Sequence, residues 1–379
     1  MKHFIKYFTL IFLIACQDLV DIEPSQTETY VRFLGDPGNN FGVTLKETPE
    51  GDLLCLGYNV SGDTTRTLLF KTDSFGNIIW VSNSVNSVIG FKGNDLDIGD
   101  DGYYIIGDSI NNVSGINSIM LLKINTSGVL EKQSIINSLG GISNGKSFSG
   151  SAVYAENESE VIGLGYWDNN GNNELFYIQF SFTQSSGYEW VQELNSTFSF
   201  SPGRSMVKDV MSQKYVWVAS ANDGQAFKAA RNEIPGQQEP LPVSFAVDID
   251  QTSRNNHFGG IGNDGNGNVV FYDLSQSMTL VDSHLLVAGN ALSISALNDG
   301  GYAILTTSGG NFTLHKTNSS GNVIGDNIST FSKTIDWVST ESSGAAIGTF
   351  DGGFAIFGTS EAGIASMMVL IKTYKNGDL

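Results

Sequence analysis

Gly140-Gly141-Ile142-Ser143-Asn144-Gly145-Lys146-Ser147 matches, letter for letter, the loop that cradles nucleotide phosphates. Phosphate binding by such a loop needs a strand before it and a helix after it, so that backbone N–H groups face the anion. The residues that follow, Phe148-Ser149-Gly150-Ser151-Ala152-Val153-Tyr154, read as a strand instead. Gly141 to Gly145 also fit the Gly-x-Ser-x-Gly elbow that presents a hydrolytic serine, and that turn too must lead into a helix. In a chain with 44 glycines, five-residue matches of this kind come cheaply. Both are read as turn chemistry.

Other groups that could do chemistry are scattered. Beyond the N-terminal segment the histidines are His257, His284 and His315, far apart in sequence and without metal-ligand spacing. His315 stands beside a lysine that recurs along the chain and is expected on a strand surface. Asp168-Asn169-Asn170-Gly171-Asn172 and Asp264-Gly265-Asn266-Gly267-Asn268 carry oxygen ligands at alternating positions. Neither continues to the glutamate that closes a calcium loop, so both are read as turns. Asp95, Asp97, Asp100 and Asp101 could supply an acid and a base only across a substrate cleft. They are expected to face a solvated channel or a turn. Trp80 and Trp190 share one position relative to a turn and are expected in core. Trp167, next to the Asn-rich loop, is the residue expected to face a ligand. No catalytic, metal or cofactor constellation emerges, and none is expected.

The elements that would position these residues come from a repeat of about 50 residues, the period of propellers and solenoids. Asp351-Gly352-Gly353-Phe354-Ala355-Ile356-Phe357-Gly358, then Val369-Leu370-Ile371-Lys372-Thr373, is one copy. Asp101-Gly102-Tyr103-Tyr104-Ile105-Ile106-Gly107 with Leu121-Leu122-Lys123-Ile124-Asn125 is another, and Asp299-Gly300-Gly301-Tyr302 with Leu314-His315-Lys316-Thr317 a third. Further copies run through Glu50–Trp80 and Val161–Trp190, and two eroded ones through Tyr215–Ala230 and His257–Tyr272. Each offers four short strands joined by Gly-Asn type turns, which is a propeller blade. The expected fold is therefore all-β, a seven-bladed propeller of four-stranded antiparallel blades. Tyr30-Val31-Arg32-Phe33-Leu34-Gly35 resembles a fourth strand with no blade before it, and should close the ring by completing blade 7.

The N-terminus carries an address. Lys2 and Lys6 precede the apolar run Phe8–Ala15, too short to span a bilayer, and the run ends in Leu13-Ile14-Ala15-Cys16. That ending resembles the lipobox of bacterial lipoproteins. It implies cleavage before Cys16 and lipidation of its thiol. Residues 1–15 are thus expected to be a signal peptide, 16–29 a lipidated cysteine and tether, and 30–379 the propeller. Cys55 is then the lone cysteine of the exported part, a small buried hydrophobe, and no disulfide is possible within it. The net charge of −19 disfavours nucleic acid and anionic lipid as partners.

The repeats resemble those of lipid-anchored propellers of Bacteroidetes-type bacteria, with Asp-Gly-Gly-Tyr followed by Lys-Thr-Asp-x-x-Gly-Asn. The resemblance covers nearly all of residues 30–379 and implies a fold and an outer-membrane location, with the membrane touched only through the lipid. Such repeats mark no activity. Propellers of this kind scaffold outer-membrane assembly or capture nutrients beside transporters. The expected function is accordingly a non-enzymatic interaction or scaffold module with an outer-membrane protein or transporter as partner. The alternative is a surface protein that captures a glycan or small nutrient on one propeller face.

Overall fold

A computed structural model of the chain describes residues 29–379, apart from 111–114, 140–145, 170–171, 194–200, 221–222, 232, 234–237, 253–255, 325–342 and 363–364. Cys16, Trp337 and the first six residues of the Gly-rich octet lie outside the described residues. Seven antiparallel sheets follow one another along the chain, six of them four-stranded. Blade 6 has three described strands plus an isolated bridge, Thr317 to Val323, where a fourth would begin. Among the described residues helix is confined to a single turn, Asn83–Asn86, capped by the Ser82 side chain. The eroded units at Tyr215 and His257 are full blades.

The strand Tyr30–Leu34 pairs antiparallel with Ala365–Thr373, Tyr30 opposite Lys372 and Leu34 opposite Met368. The N-terminal strand thus completes blade 7 and closes the ring. Its Tyr30 ring lies against Gly76 in a hairpin turn of blade 1, where an added Cβ would stand 2.5 Å from the ring. Trp80 covers Gly128 of blade 2 in the same manner, and Phe271 covers Gly321 of blade 6. Each of these glycines also has positive φ, so the turn needs glycine for its backbone and for the ring that covers it.

Continuous apolar runs in the middle strands explain the ring. Both faces of each blade are apolar, so the core among the described residues divides into seven clusters, one in each seam between neighbouring blades. Cys55 is wholly buried between blades 7 and 1, as expected, and burial pushes its thiol pKa up.

The repeated Asp and Lys have a structural reason. The turn between the first and second strands, counted outward from the axis, carries an aspartate, and the third strand carries the lysine that meets it. The pairs are Lys71–Asp52 at 2.8 Å, Lys123–Asp101 at 3.1 Å, Lys228–Asp209 at 2.6 Å, Lys316–Asp299 at 2.8 Å and Lys372–Asp351 at 2.7 Å. In blade 3 Gln179 donates to the Ser159 carbonyl instead, at 2.8 Å. Blade 5 inverts the pair: Asp273 is on the strand and His257 at the turn, 3.0 Å apart. Lys372 is 1% exposed and binds both Asp351 oxygens and Thr349 Oγ1. Lys372→Ala should therefore cost about 2 kcal/mol in urea unfolding, because it strips charge-assisted bonds from a half-buried carboxylate. The exposed Lys214→Ala should cost no more than about 0.5 kcal/mol; equal losses would show that the clamp is not structural.

Candidate functional site

The innermost strands of the seven blades surround an axial channel, whose cavity is about 620 Å³. Each such strand has one edge paired within its blade and one edge turned to the axis. A β-bulge interrupts the pairing at the same place in most of them, between Gly42 and Thr44, Gly93 and Asp95, Gly150 and Ala152, Ala246 and Asp248, and Ala291 and Ser293. A bulge re-aims the residue it contains. Here Val43, Asn94, Ser151 and Leu292 line the cavity. In blade 4 the interruption is wider, from Pro202 to Met206, and it carries Arg204 into the channel.

The residue after the bulge does a different job: it reaches across to the next blade. Asp95 accepts from the Val153 N–H at 2.9 Å, Asp248 from Ile294 N–H at 2.9 Å, and Ser293 from Ala346 N–H at 3.0 Å. Two residues on, Asp97 accepts from Ala155 N–H and Asp250 from Ala296 N–H, each at 2.8 Å. The Asp-x-Asp pairs of blades 2 and 5 are thus the same latch used twice, each clipping the inner edge of the following blade. Asp95 is 7% exposed, so the expectation of a solvated carboxylate holds poorly for it. Asp101 belongs to the Lys123 clamp, also bonding the Tyr104 hydroxyl at 2.6 Å, and Asp100 stands on the exposed turn.

Burial of these carboxylates raises their pKa values, Asp95 to about 7 and Asp248 to about 6, with Asp97 and Asp250 raised as well. Lys46 faces them, 3.7 Å from Asp97. Burial pushes its ammonium down, but the fields of Asp97, Asp95, Asp250 and Asp248 outweigh that and raise its pKa. At Arg204, which lines the cavity, desolvation lowers the guanidinium pKa against the opposing pull of Asp248. Arg204 donates to the Leu292 carbonyl at 3.4 Å, two blades away. On the far side Lys92 lies 4.7 Å over the Tyr58 ring, which stacks on Phe41. Asp108 is held by Asn94, the Ser149 hydroxyl and the Gly150 N–H.

Apart from the Asp95 and Asp97 pair, the residues singled out from sequence fall elsewhere. Trp167 is 6% exposed, packed in the seam between blades 2 and 3 with Phe148 and Phe176, and Lys146 lies 5.5 Å over its ring. Its indole N–H has no partner among the described residues. Trp190 bonds the Gln179 side chain at 2.7 Å and packs on the blade 3–4 seam, and Trp80 packs on the blade 1–2 seam. His315 is not on a strand surface. It is buried, 3.0 Å from the Thr306 hydroxyl, and burial lowers its pKa to about 4. His284 reaches the Gly321 carbonyl, and His257 is in the blade 5 clamp. No group of three or more metal-binding side chains occurs among the described residues. The Asp264 carboxylate closes its own turn on Asn266 and Asn268, which lowers its pKa to about 2. Phe148–Asn157 is a strand, so the helix that the phosphate loop and the serine elbow require is absent there.

Lys46, Lys92 and Arg204 were not singled out from sequence. Only the shared bulge position could have found Arg204, because the Gly-x-Asp rhythm of Gly93-Asn94-Asp95 continues weakly into Gly203-Arg204-Ser205.

No family model matches the chain, and no curated protein matches it by sequence. Solved structures do resemble it. U3-55K aligns at a TM-score of 0.55 and 9% identity, over 90% of this chain and 98% of that one. The periplasmic gluconolactonase PpgL of Pseudomonas aeruginosa aligns at 0.53 and 10% identity, over 74% of this chain and 83% of its own. A protein of unknown function from Bacteroides caccae aligns at 0.45 and 12% identity, over 76% and 92%. At these identities the likeness is one of fold.

A carboxyl whose folded pKa is raised holds its proton more tightly in the folded chain, so its stabilising contribution is full in acid and fades as pH rises through the folded value. For Asp95 and Asp248 that window runs from about 4 to about 7. The melting temperature should therefore rise as pH falls from 7.5 to about 5, and Asp95→Asn should flatten the rise. An unchanged slope in the variant would show that Asp95 is not a titrating latch.

Proposed function

We propose that this protein is a non-catalytic binding protein of the bacterial cell envelope, anchored through a lipid on Cys16, that captures a small polar ligand in its axial channel. The supporting observation is the cavity of about 620 Å³, lined by Asn94, Ser151 and Arg204 from bulges of neighbouring blades and by Lys46, Lys92 and Ser149 beside them. Ligand sites typically enclose roughly 300–1,000 Å³ and place a few convergent polar groups on rigid elements. The channel carboxylates are each held by backbone or side-chain donors, which suits a wall better than an acid–base pair. A glycan unit or a nutrient of similar size fits this description.

A second reading, docking to an outer-membrane protein or transporter, has its own support. The outer edge strand of blade 1 leaves Ile78, Ile79 and Val81 exposed, with Ile89 68% exposed nearby. An apolar outer edge invites another chain.

Two experiments test this. Differential scanning fluorimetry against neutral sugars, acidic sugars and amino acids should find a stabilising ligand, and Ser151→Trp, which fills the channel, should abolish the effect. A ligand that binds Ser151→Trp equally well would contradict an axial site. For the anchor, Cys16→Ala should move the protein from the membrane to the soluble fraction; firm attachment of that variant would contradict lipidation.

A further inference from the structure

A second cavity, of about 420 Å³, lies among the turns between first and second strands where blades 6, 7 and 1 meet. Lys46, Ser295 and Ile347 line both it and the axial channel, so the two spaces adjoin. The turns of these three blades share one backbone. In each the first N–H donates to the carbonyl four residues on, Thr48 to Asp52, Leu297 to Gly301 and Thr349 to Gly353. The second position of that turn holds Pro49, Asn298 and Phe350 respectively, so the turn itself demands no particular side chain there. Phe350 is nevertheless a large apolar residue left 62% exposed. Its backbone N–H donates to both Glu47 carboxylate oxygens, at 2.9 and 3.1 Å, which ties the turn to blade 1. The Asn298 amide and the Ser295 hydroxyl, on the same cavity, have no hydrogen-bond partner among the described residues. The charges around them are already matched: Lys316 meets Asp299 at 2.8 Å, Lys46 lies 3.7 Å from Asp97, and Glu47 holds the Phe350 N–H.

We propose that this cavity is a second subsite for the ligand of the channel, and that the ligand is a neutral oligosaccharide with one ring in the channel and a further ring laid on Phe350. The inference rests on the small-ligand reading above and extends it from a single ring to a chain. A sugar ring has a face of C–H groups and a rim of hydroxyls. The face suits an exposed aromatic ring, apolar surface against apolar surface. The rim suits an amide and a hydroxyl, each of which both donates and accepts. The unpaired groups here are neutral, so the cavity offers a charged ligand no counter-charge of its own.

The test is isothermal titration of the full-length chain with glucose, xylose and mannose against cellotriose, maltotriose, xylotriose and mannotriose. At least one trisaccharide should bind about tenfold more tightly than its own monosaccharide, the worth of one stacked ring with a hydrogen bond. Phe350→Ala should remove most of that advantage and leave monosaccharide affinity within about twofold, while Phe350→Trp should retain it. Asn298→Ala should likewise weaken the trisaccharide and spare the monosaccharide. Tyr374→Ala, outside the cavity, should change neither, and melting temperatures would confirm that each variant is folded. Trisaccharides that bind no better than monosaccharides, or an advantage that survives Phe350→Ala, would overturn the second subsite and leave the channel site standing. If no saccharide of either length binds, the oligosaccharide proposal falls. If acidic sugars and amino acids are silent as well, the small-ligand reading falls with it.

Discussion

A propeller has an awkward inside. The innermost strand of every blade has one edge with no strand beside it, and backbone groups on that edge must find partners other than a ladder. In this chain the blades satisfy one another. Asp95, Asp97, Asp248 and Asp250, with Ser293 beside them, send side-chain oxygens across the seam to N–H groups of the next blade. Ser205 Oγ likewise receives the Ile249 N–H, at 3.3 Å. The ring is therefore held at its rim by paired strands, in its seams by apolar side chains, and at its hub by polar latches.

That solution shapes what the channel can do. Carboxylates used as latches are poor catalysts and poor metal ligands, since their lone pairs are occupied and their charge is costly to keep. Asp95 and Asp248 bear this cost as raised pKa values, and Lys46 among them keeps the hub from accumulating unopposed negative charge. Beside them, the bulge residues Val43, Asn94, Ser151 and Leu292 line the cavity. The single wide bulge of blade 4 brings a guanidinium to the axis in a chain that is otherwise strongly acidic. Cavity lining and ring latch are thus adjacent positions of one strand: in blades 2 and 6 the bulge residues Asn94 and Leu292 line the cavity and their successors Asp95 and Ser293 hold the next blade.

The repeat made most of the fold legible in the sequence. Asp-Gly-Gly-Tyr and Leu-Lys-Thr recur because an aspartate in one turn clamps a lysine two strands away. The Gly-Asn turns recur because only glycine permits both the backbone and the ring that covers it. Even the eroded blades keep their strands, with blade 5 exchanging the clamp for His257 and Asp273. The site was harder to read. Trp167 stood out beside a polar loop, yet its register opposite Phe148 sends the indole into the seam. His315 looked like a surface neighbour of Lys316, but strand alternation turns it inward. Arg204 gave only the weak signal of Gly203-Arg204-Ser205, since bulges depend on register between strands and a single strand's sequence does not display them.

The arrangement depends above all on inner-edge amides belonging to the carboxylates of the preceding blade. Residue-resolved amide hydrogen exchange measures this directly. The N–H groups of Val153, Ala155, Ile294 and Ala296 should exchange slowly. Those of Leu45 and Met206 should exchange faster, because the preceding blades carry Ala345 and Ala152 where the latch residue would stand. Fast exchange at all six positions would contradict a latched hub: the inner edges would be hydrated, and the carboxylates would be free to meet a ligand.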